Sequence, residues 1–524
     1  MSVPPPAEPE APRPNFVVFV PDQLRADALG AFGNPHVSTP NIDALAARGT
    51  RFEQAYVQHP VCSPSRASFL TGWYPHTAGH RSLTHLLRPS EPNLLKILKE
   101  AGYHVTWAGA RGDTFAPGAT EVSVDEYGFS ETPSHAGFGS EWPDDVWTRL
   151  FYRGRREPAA AEEPPDFDEA AIRTAEAWLA APPERPWVLF VPILAPHCPF
   201  EAPEPWFSQY DRDAVPEPVP PVDDGLEPGF MQAVRERYGI EEVTAEVWRE
   251  IIATYYAMVS RMDEHLGRVL AAVDRAGATD ATVTLFFADH GEYLGDFGLV
   301  EKWPSAMHDC ITRDPLIISG GGLPQGQVVH SMVELIDVLP TVLELAGVSA
   351  PHRHFGRSLL PVLRDPRAPH RDYAFTEGGF TVEEEPQLEH APLPYDRKAQ
   401  LQHDRPELVG KSVAVRDRAW TYVWRLYEKA ELYDRLQDPH ERINVAALPE
   451  HAEVVARMHE AMTRWLVDTA DVIPAEEDPR FPEVRLPAPG VRTPAPPQGD
   501  PATAGPAAAG DGSADPHRGE EHTR

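Results

Sequence analysis

The stretch Asn15–Val20, NFVVFV, is a run of aromatic and β-branched residues bounded by Pro14 and Pro21. Two later segments, Trp187–Ile193 (WVLFVPI) and Thr282–Phe287 (TVTLFF), have the same character. A strand that helices cover on both faces is apolar along its whole length, whereas a strand with one wet face alternates. The three runs therefore predict central strands of a largely parallel sheet.

Amphipathic segments lie between and around these runs, and their spacing is typical of helices. The predicted helices are Thr39–Arg48, Asn93–Glu100, Phe167–Ala180 and Ala245–Ala276. Strands that alternate with helices over so much of the chain predict an α/β fold. We expect a large mixed, mostly parallel sheet flanked by helices.

The C-terminal part of the chain has a different pattern. Short segments at Ser412–Val415 and Trp420–Trp424 are separated by turn residues, and a helix-like stretch follows at Glu450–Val467. This pattern predicts a smaller C-terminal α+β subdomain.

The two ends of the chain are rich in proline and charge, and no aromatic residue follows Phe481. Such segments cannot bury enough apolar surface to offset the entropy lost on ordering. We therefore expect four regions: a disordered tail at 1–14, a main domain at 15–371, the subdomain at 372–484 and a disordered tail at 485–524.

The charge balance excludes several classes of partner. The chain has 47 Lys and Arg against 80 Asp and Glu, a net charge of −33. Nucleic acids and anionic membranes are bound by clustered cations, so neither is an expected partner. Three cysteines cannot build a disulfide framework. No signal peptide is visible, and the run Phe16–Val20 is shorter than the ~20 residues of a bilayer span. We expect a cytoplasmic protein.

Polar residues follow each of the three predicted strands. Asp22 and Gln23 follow the first strand, His197 follows the second, and Asp289 and His290 follow the third. In open α/β sheets ligands bind beyond the carboxyl ends of the strands. Taken singly, each residue is equally typical of a helix cap or a solvated turn. Together they favour a hard cation such as Ca²⁺ or Mg²⁺, and the imidazole leaves Mn²⁺ open.

The segment Pro60–Gly72, PVCSPSRASFLTG, predicts a reactive residue at the start of a helix. Pro64 fits the first turn, so Cys62 would lie at the helix N-terminus, where unpaired N–H groups favour an anion. Arg66 is a permanent cation suited to an oxyanion. Cys62 is therefore either a nucleophile or a buried thiol that packs like a small apolar side chain.

Several motifs resemble those of type I sulfatases, in the alkaline-phosphatase-like superfamily. They are C-S-P-S-R at Cys62–Arg66 with the following F-L-T-G, PDQLRADALGAFGNPHVSTPNIDALAARGTRFEQAYV at Pro21–Val57, DHGEYLGDFGLVEK at Asp289–Lys302, and ELYDRLQDPHERIN at Glu431–Asn444. The resemblance extends from about Asn15 to Ala447, and the motifs occur in the family's order. It implies an alkaline-phosphatase-like fold and hydrolysis of a sulfate ester.

The resemblance also implies a mechanism. In this family an enzyme that generates formylglycine oxidises the motif cysteine to formylglycine (3-oxoalanine), which is hydrated to a geminal diol. One hydroxyl attacks the sulfur of a sulfate ester, and the other later expels sulfate and regenerates the aldehyde. Carried over to this chain, Cys62 becomes the formylglycine and a metal ligand, and Arg66 supports its hydroxylate.

The remaining roles follow from the same resemblance. Asp22, Asp289 and His290 bind the metal, for which Ca²⁺ is favoured over Mg²⁺ and Mn²⁺. Gln23 stands where many members have a second Asp, and it would ligate through its amide oxygen. His197 and Lys302 contact the sulfate and stabilise charge on its oxygens.

One family element is altered in this chain. Where most members carry Gly-Lys after Gly102–Tyr103, this chain has GYHVTWAGARGD, so that the lysine position is Ala110. Arg111 follows directly. It either replaces the lost cation in the sulfate-binding pocket or faces solvent.

Three functions are compatible with these residues. The first is a metal-dependent sulfatase acting on a small or medium organic sulfate monoester. The second is a phosphonate monoester hydrolase or phosphodiesterase, because those enzymes share the formylglycine and the Asp-Gln pair. The third is an inactive binding protein of this fold with unmodified Cys62, which only the altered Gly-Ala-Arg segment suggests.

Overall fold

The computed structural model describes residues 13–109, 113–134, 142–143, 145–157, 164–222, 225–474, 478–483, 485–486 and 489. The chain divides into two units, Met1–Ala475 and Glu476–Arg524. Every element named below belongs to the first unit. The predictions for 1–14 and 485–524 fall almost entirely outside the described residues.

The largest sheet contains the three predicted central strands side by side. Its strand order within the described residues is β12-β2-β11-β9-β1-β7-β4-β5. These strands are β1 (Asn15–Asp22), β2 (Gly49–Phe52), β4 (His104–Ala108), β5 (Glu126–Gly128), β7 (Trp187–Pro196), β9 (Thr282–Phe286), β11 (Ile317–Gly320) and β12 (Gln327–Val329). β1 pairs in parallel with β7 and β9, whereas β11 runs antiparallel to β2 and β9. The sheet is therefore mixed and mostly parallel, as predicted.

Helices cover both faces of this sheet. The described helices are α1 (Pro40–Ala47), α2 (Cys62–Thr71), α3 (Pro75–Ala78), α4 (Leu94–Glu100), α5 (Ala119–Ser123), α6 (Val146–Arg149), α7 (Phe167–Leu179), α8 (Gly229–Tyr238), α9 (Ala245–Arg275), α10 (Asp309–Thr312), α11 (Val338–Leu345), α12 (Leu360–Arg364), α13 (Asp396–Asp404) and α14 (Ala452–Asp468). All four helices predicted for the main domain are present, and no end differs from the prediction by more than one residue.

Alternate residues of β1 enter two separate cores, which explains why the whole strand is apolar. Val17 and Phe19 pack in the core that contains α7 and α9. Phe16, Val18 and Val20 pack in the core that contains α2, α4 and α11. Successive side chains of a strand point to opposite faces of its sheet. Both faces of β1 are therefore covered by apolar side chains.

A smaller antiparallel sheet follows in the chain, with the order β14-β15-β16-β17. Its strands are β14 (Ala374–Gly378), β15 (Ser412–Arg416), β16 (Trp420–Arg425) and β17 (Glu431–Asp434). α14 packs against it through Met458, Met462 and Trp465. The predicted C-terminal α+β arrangement is therefore present, while the boundaries at 371 and 484 stay predictions.

Short strands complete the structure: β3 (Ala55–Tyr56), β6 (Tyr152–Arg156), β8 (Phe200–Pro203), β10 (Arg313–Asp314) and β13 (Val333–Glu334). Among the helices that the structure describes, none combines the length and apolar character that crossing a membrane requires.

Candidate active site

The carboxyl ends of β1 and β9 bring the predicted acidic residues together. Asp22 is the last residue of β1, and Asp289 lies just beyond β9, the parallel neighbour of β1. The backbone N–H of Gln23 donates to Oδ1 of Asp289 over 3.0 Å. Asp22, Gln23 and Asp289 are 0% exposed, so the expected cluster lies at one edge of the sheet and away from bulk solvent.

Cys62 is the first residue of α2. Val61 is extended and caps the helix, and Pro64 lies in the first turn, as its missing N–H predicted. The sulfur of Cys62 lies 3.2 Å from Nε2 of His290 and 3.7 Å from Oδ1 of Asp22. The helix N-terminus therefore places the reactive position beside the last residue of β1 and a residue that follows β9.

Arg66 lies one turn further along α2 and joins the two carboxylates. Its Nε donates to Oδ2 of Asp289 over 2.9 Å, and Nη2 donates to Oδ2 of Asp22 over 3.0 Å. The side chain is 1% exposed, and a buried charge of this kind is stable only when paired. Arg66 therefore fixes the orientation of both carboxylates relative to Cys62.

A hydrogen bond to the backbone of the next residue orients the His290 ring. Its Nδ1 lies 2.9 Å from the carbonyl oxygen of Gly291, so Nδ1 carries the hydrogen and Nε2 presents its lone pair to Cys62. Burial lowers the pKa of His290, which favours the neutral ring. A Cβ on Gly291 would overlap the carbonyl oxygen of Cys310, which explains the glycine at this position.

These side chains are suited to a divalent cation. One ligand atom from each of Asp22, Cys62, Asp289 and His290 lies within 4.8 Å of the others, and all four residues are buried. Carboxylate oxygens beside an imidazole with a free lone pair are an ordinary donor set for such an ion. The residues present therefore fit the metal that the sequence predicts.

Gln23 is held in a defined orientation by two neighbours of opposite character. Its amide oxygen accepts a hydrogen bond from Nζ of Lys302 over 2.7 Å, and its amide nitrogen donates to the carboxylate of Glu292. Its φ is 65°, a left-handed conformation that side chains with a Cβ rarely adopt. The amide oxygen thus faces Lys302. Its ligation of a metal stays a prediction.

Lys302 and His197 form a polar wall beside this cluster. Nζ of Lys302 lies 2.9 Å from Nε2 of His197, and Nδ1 of His197 lies 2.5 Å from the carbonyl oxygen of Cys198. His197 therefore holds its hydrogen at Nδ1 and accepts one from Lys302 at Nε2. Although burial opposes it, the neighbouring anions raise the pKa of Lys302, so Lys302 is the cation of the pair.

Two buried carboxylates of the DHGE…VEK segment support this wall. Glu301 pairs with Nζ of Lys302 over 2.8 Å and with Nζ of Lys398 over 2.6 Å, and these cations, against the effect of burial, hold the pKa of Glu301 at about 2. Glu292 accepts hydrogen bonds from the backbone of Leu294 and Glu301, and burial raises the pKa of Glu292 to about 7.

A cavity of about 630 Å³ leads to Cys62. His197 and Lys302 line it together with Cys62. Further residues of its wall come from distant parts of the chain, among them Asp113, Trp142, Arg153, Arg156, Asp166, Arg261, Tyr395 and Lys398. A site of this volume accepts an organic leaving group as well as a tetrahedral anion.

The structure thus brings together eight of the nine predicted site residues: Asp22, Gln23, Cys62, Arg66, His197, Asp289, His290 and Lys302. The ninth, Arg111, lies outside the described residues, as does Ala110. Asp113 is described, and its Oδ1 lies 3.9 Å from a guanidinium nitrogen of Arg66.

Sequence reasoning missed Glu292 and Glu301, which contact the predicted residues Gln23 and Lys302, and Lys398, which pairs with Glu301. The two glutamates stand inside the quoted segment DHGEYLGDFGLVEK, and the available signal was their position: Glu292 is two residues after His290, and Glu301 directly precedes Lys302. Lys398 lies 97 residues from Glu301 in sequence, and nothing local in the chain links them.

Comparison with known proteins agrees with this geometry. The multifunctional alkaline phosphatase superfamily protein PehA of Trinickia caryophylli is 28% identical over 516 residues, which cover 88% of this chain and 96% of PehA. The ulvan-active sulfatase of Formosa agariphila is 26% identical over 478 residues, which cover 88% of this chain and 83% of that protein.

The fold is also found among solved structures. The phosphonate monoester hydrolase of Agrobacterium radiobacter superposes with a TM-score of 0.70 at 24% identity, covering 87% of this chain and 96% of that chain. The family model described as Sulfatase matches residues 14–348, which is more than half of the chain. The protein therefore belongs to the sulfatase family of hydrolases that act on sulfate esters.

Proposed function

We propose that the protein hydrolyses an organic sulfate monoester, with formylglycine made from Cys62 as the nucleophile and a divalent cation beside it. One observation carries the proposal: Cys62 lines a cavity, and its sulfur lies within 4.8 Å of ligand atoms of Asp22, Asp289 and His290. A nucleophile and an ion site this close can act on one sulfur atom.

Asp22, Gln23, Asp289 and His290, together with the modified Cys62, would hold the cation, for which Ca²⁺ is our first choice. When bound, the cation lowers the pKa of a coordinated hydroxyl and stabilises charge on a sulfate oxygen. Arg66 holds Asp22 and Asp289 in place, since it donates to both. It also supplies a positive charge beside the nucleophile, where negative charge develops.

Lys302 and His197 would bind and orient the sulfate from the other side. Charge builds on the bridging oxygen as the ester bond breaks, and donors already in place stabilise that charge without reorganisation. Lys302 is positioned by Gln23 and Glu301, and His197 by the carbonyl of Cys198. Lys302 can give the departing oxygen a hydrogen bond and carries a proton for it, while His197 accepts from Lys302 at Nε2 and so helps to position its ammonium group.

Maturation would need a formylglycine-generating enzyme, which the C-x-P-x-R motif at Cys62–Arg66 implies. Mass spectrometry of the peptide that contains Cys62, in protein from a host with that enzyme, tests this step. We expect the sulfur to be replaced by oxygen, and protein from a host without the enzyme serves as the control. An intact thiol in both preparations would reject the proposal and support the inactive binding protein.

The second candidate function is hydrolysis of a phosphonate monoester or phosphodiester. It is favoured by the Asp22–Gln23 pair and by the similarity to PehA, a relative described as multifunctional. Both substrate types present a singly charged tetrahedral centre to the same cations. We expect kcat/KM for an aryl sulfate to exceed that for the matching aryl phosphonate monoester, and a dominant phosphonate activity would overturn the sulfatase proposal.

We also propose that residues 15–371 form the catalytic domain and residues 372–484 its C-terminal subdomain. The family model ends at residue 348, and the four-stranded sheet begins at Ala374. Both boundaries can be tested by limited proteolysis.

A further inference from the structure

The wall of the cavity that leads to Cys62 carries more cations than the sulfate itself can use. Besides Lys302, the cations are Arg153, Arg156, Arg261 and Lys398. Each of them either has a carboxylate partner or is available to a ligand. Sorting them by partner therefore shows where a substrate can be recognised.

Four of these five cations share two carboxylates. Asp166 pairs with Arg156 over 2.7 Å and with Arg261 over 2.6 Å. Glu301 pairs in the same way with Lys302 and Lys398. These groups are held by the protein's own charges, and their geometry is explained without a ligand.

Arg153 is different. Among the described residues no carboxylate lies within ion-pair distance of its guanidinium, which instead stacks over the ring of Trp142 at 4.1 Å from the ring centroid. Stacking of this kind holds the guanidinium plane in place and leaves the N–H groups at its edge free to donate. Arg153 and Trp142 both line the cavity that contains Cys62.

We propose that Arg153 and Trp142 form a subsite for a second anionic group, a carboxylate or a sulfate carried on the leaving group of the substrate. The proposal rests on the proposed sulfatase function and adds the substrate class: sulfate esters of acidic alcohols or phenols. A guanidinium edge binds an oxyanion through two parallel hydrogen bonds, and the ring beneath it offers an apolar surface for the carbon skeleton.

The test compares two substrates that differ in one charge. In 4-(sulfooxy)phenylacetate and its primary amide, a methylene group separates the changed group from the phenol, so the leaving groups have similar acidity. We expect kcat/KM for the acid to exceed that for the amide by about tenfold or more, as expected for a charge-assisted contact. The corresponding methanesulfonate and methanesulfonamide show whether the subsite prefers a tetrahedral or a planar anion.

The variant Arg153→Gln should bring the ratio of acid to amide close to one. Arg155→Gln is the matched control, because Arg155 lies on the same strand, is 52% exposed and does not line the cavity. Arg153→Lys keeps the charge but loses the flat edge, so it should give an intermediate ratio. An acid-to-amide ratio near one in the unchanged protein, or a ratio that Arg153→Gln does not alter, would overturn the proposal.

Binding of the products separates this proposal from the sulfatase proposal. We expect calorimetry to show that 4-hydroxyphenylacetate binds more tightly than 4-hydroxyphenylacetamide, and that Arg153→Gln removes the difference. If no sulfate ester were hydrolysed while this difference remained, the reaction would be wrong and the subsite right. Equal binding of acid and amide would contradict the subsite, whatever the turnover.

Discussion

The surroundings of Cys62 are polar. Its sulfur faces Nε2 of His290 and a carboxylate oxygen of Asp22, neither of which is an apolar neighbour. A cysteine kept for packing lies among apolar side chains, whereas the sulfur of Cys62 contacts a carboxylate and an imidazole. We infer that the position is shaped for an oxygen nucleophile beside a cation.

The variant Cys62→Ala should therefore lose turnover and keep the fold. Removing the sulfur leaves the helix and its cap unchanged, and Ala is a good helix former. We expect kcat below detection while the midpoint of urea unfolding changes little. Cys198→Ala is the control for a buried cysteine outside the proposed chemistry, and it should keep activity. Residual turnover by Cys62→Ala would refute the formylglycine mechanism.

Glu292 is a second residue whose role can be tested. Its carboxylate accepts from the amide of Gln23 and from the backbone of Leu294 and Glu301, and Gln23, Leu294 and Glu301 all have positive φ. Such conformations cost about 1–2 kcal/mol each in residues with a Cβ and need support from their neighbours. Glu292 thus stabilises three strained backbone positions around Lys302.

We expect Glu292→Gln to lower kcat by about tenfold and the free energy of unfolding by about 1–3 kcal/mol. The nitrogen of the new amide donates and cannot accept, so at least one of the three N–H donors loses its acceptor. An unsatisfied buried donor costs about 1–3 kcal/mol. Glu377→Gln, a change at a buried carboxylate that pairs with His76, is the matched control. It should lower stability without the tenfold effect on kcat; equal effects on kcat would contradict a positioning role for Glu292.

At the scale of elements, α7 depends on a cap that also serves the cavity. Asp166 precedes the helix, and its carboxylate accepts from the backbone N–H of Glu169 over 3.0 Å while it pairs with Arg156 and Arg261. These cations and the cap hold the pKa of Asp166 at about 2, against the effect of burial. One side chain therefore starts the helix and fixes two arginines.

The variants Asp166→Asn and Asp166→Ala separate the two roles. Both lose the charge that the arginines need, but Asn keeps the capping oxygen. We expect Ala to be less stable than Asn by about 1 kcal/mol in urea unfolding, the usual value of a lost cap. The control is the pair Asn93→Asp and Asn93→Ala. Asn93 precedes α4, and its side chain accepts a hydrogen bond from the backbone N–H of Lys96. If Asn and Ala were equally destabilising at 166, the cap would not contribute.

The elements show which parts of the structure local sequence can predict. The strands β1, β7 and β9 were predicted because their apolar runs are continuous, and α9 because its periodicity extends over its whole length. The contact of Gln23 with Glu292 joins residues 269 apart, and that of Lys302 with Gln23 joins residues 279 apart. Such contacts depend on how the strands align. The residues at the strand ends predicted Gln23, the motif resemblance added Lys302, and Glu292 was not predicted.

At the scale of the whole molecule, the small sheet holds the segment that follows Lys302. Nη1 of Arg425 donates to the carbonyl of Ser305 over 2.8 Å, Arg416 donates to the carbonyl of Met307, and the carboxylate of Glu441 accepts from the backbone N–H of Asp309 over 2.7 Å. Arg416 and Arg425 belong to β15 and β16. The sheet predicted as a separate subdomain is thus part of the support for a proposed sulfate-binding residue.

His308 lies in this contact region and makes it sensitive to acid. Its Nδ1 lies 3.0 Å from the hydroxyl of Tyr293, and burial, with Arg425 and Arg416 nearby, lowers the pKa of His308 to about 3. The ring is therefore neutral in the folded protein. An unfolded histidine binds a proton below pH ~6.5, so acid favours the unfolded chain.

We expect the free energy of unfolding to fall as the pH drops from 6.5 towards 4, by about 1.4 kcal/mol per pH unit for each such histidine. His308→Gln should reduce this slope by that amount, because glutamine can accept the Tyr293 hydrogen bond and takes up no proton. His59, whose pKa burial lowers to about 3, keeps part of the slope in the variant. Urea unfolding at a series of pH values measures the slopes, and an equal slope in His308→Gln and the unchanged protein would show that His308 is protonated in the folded state.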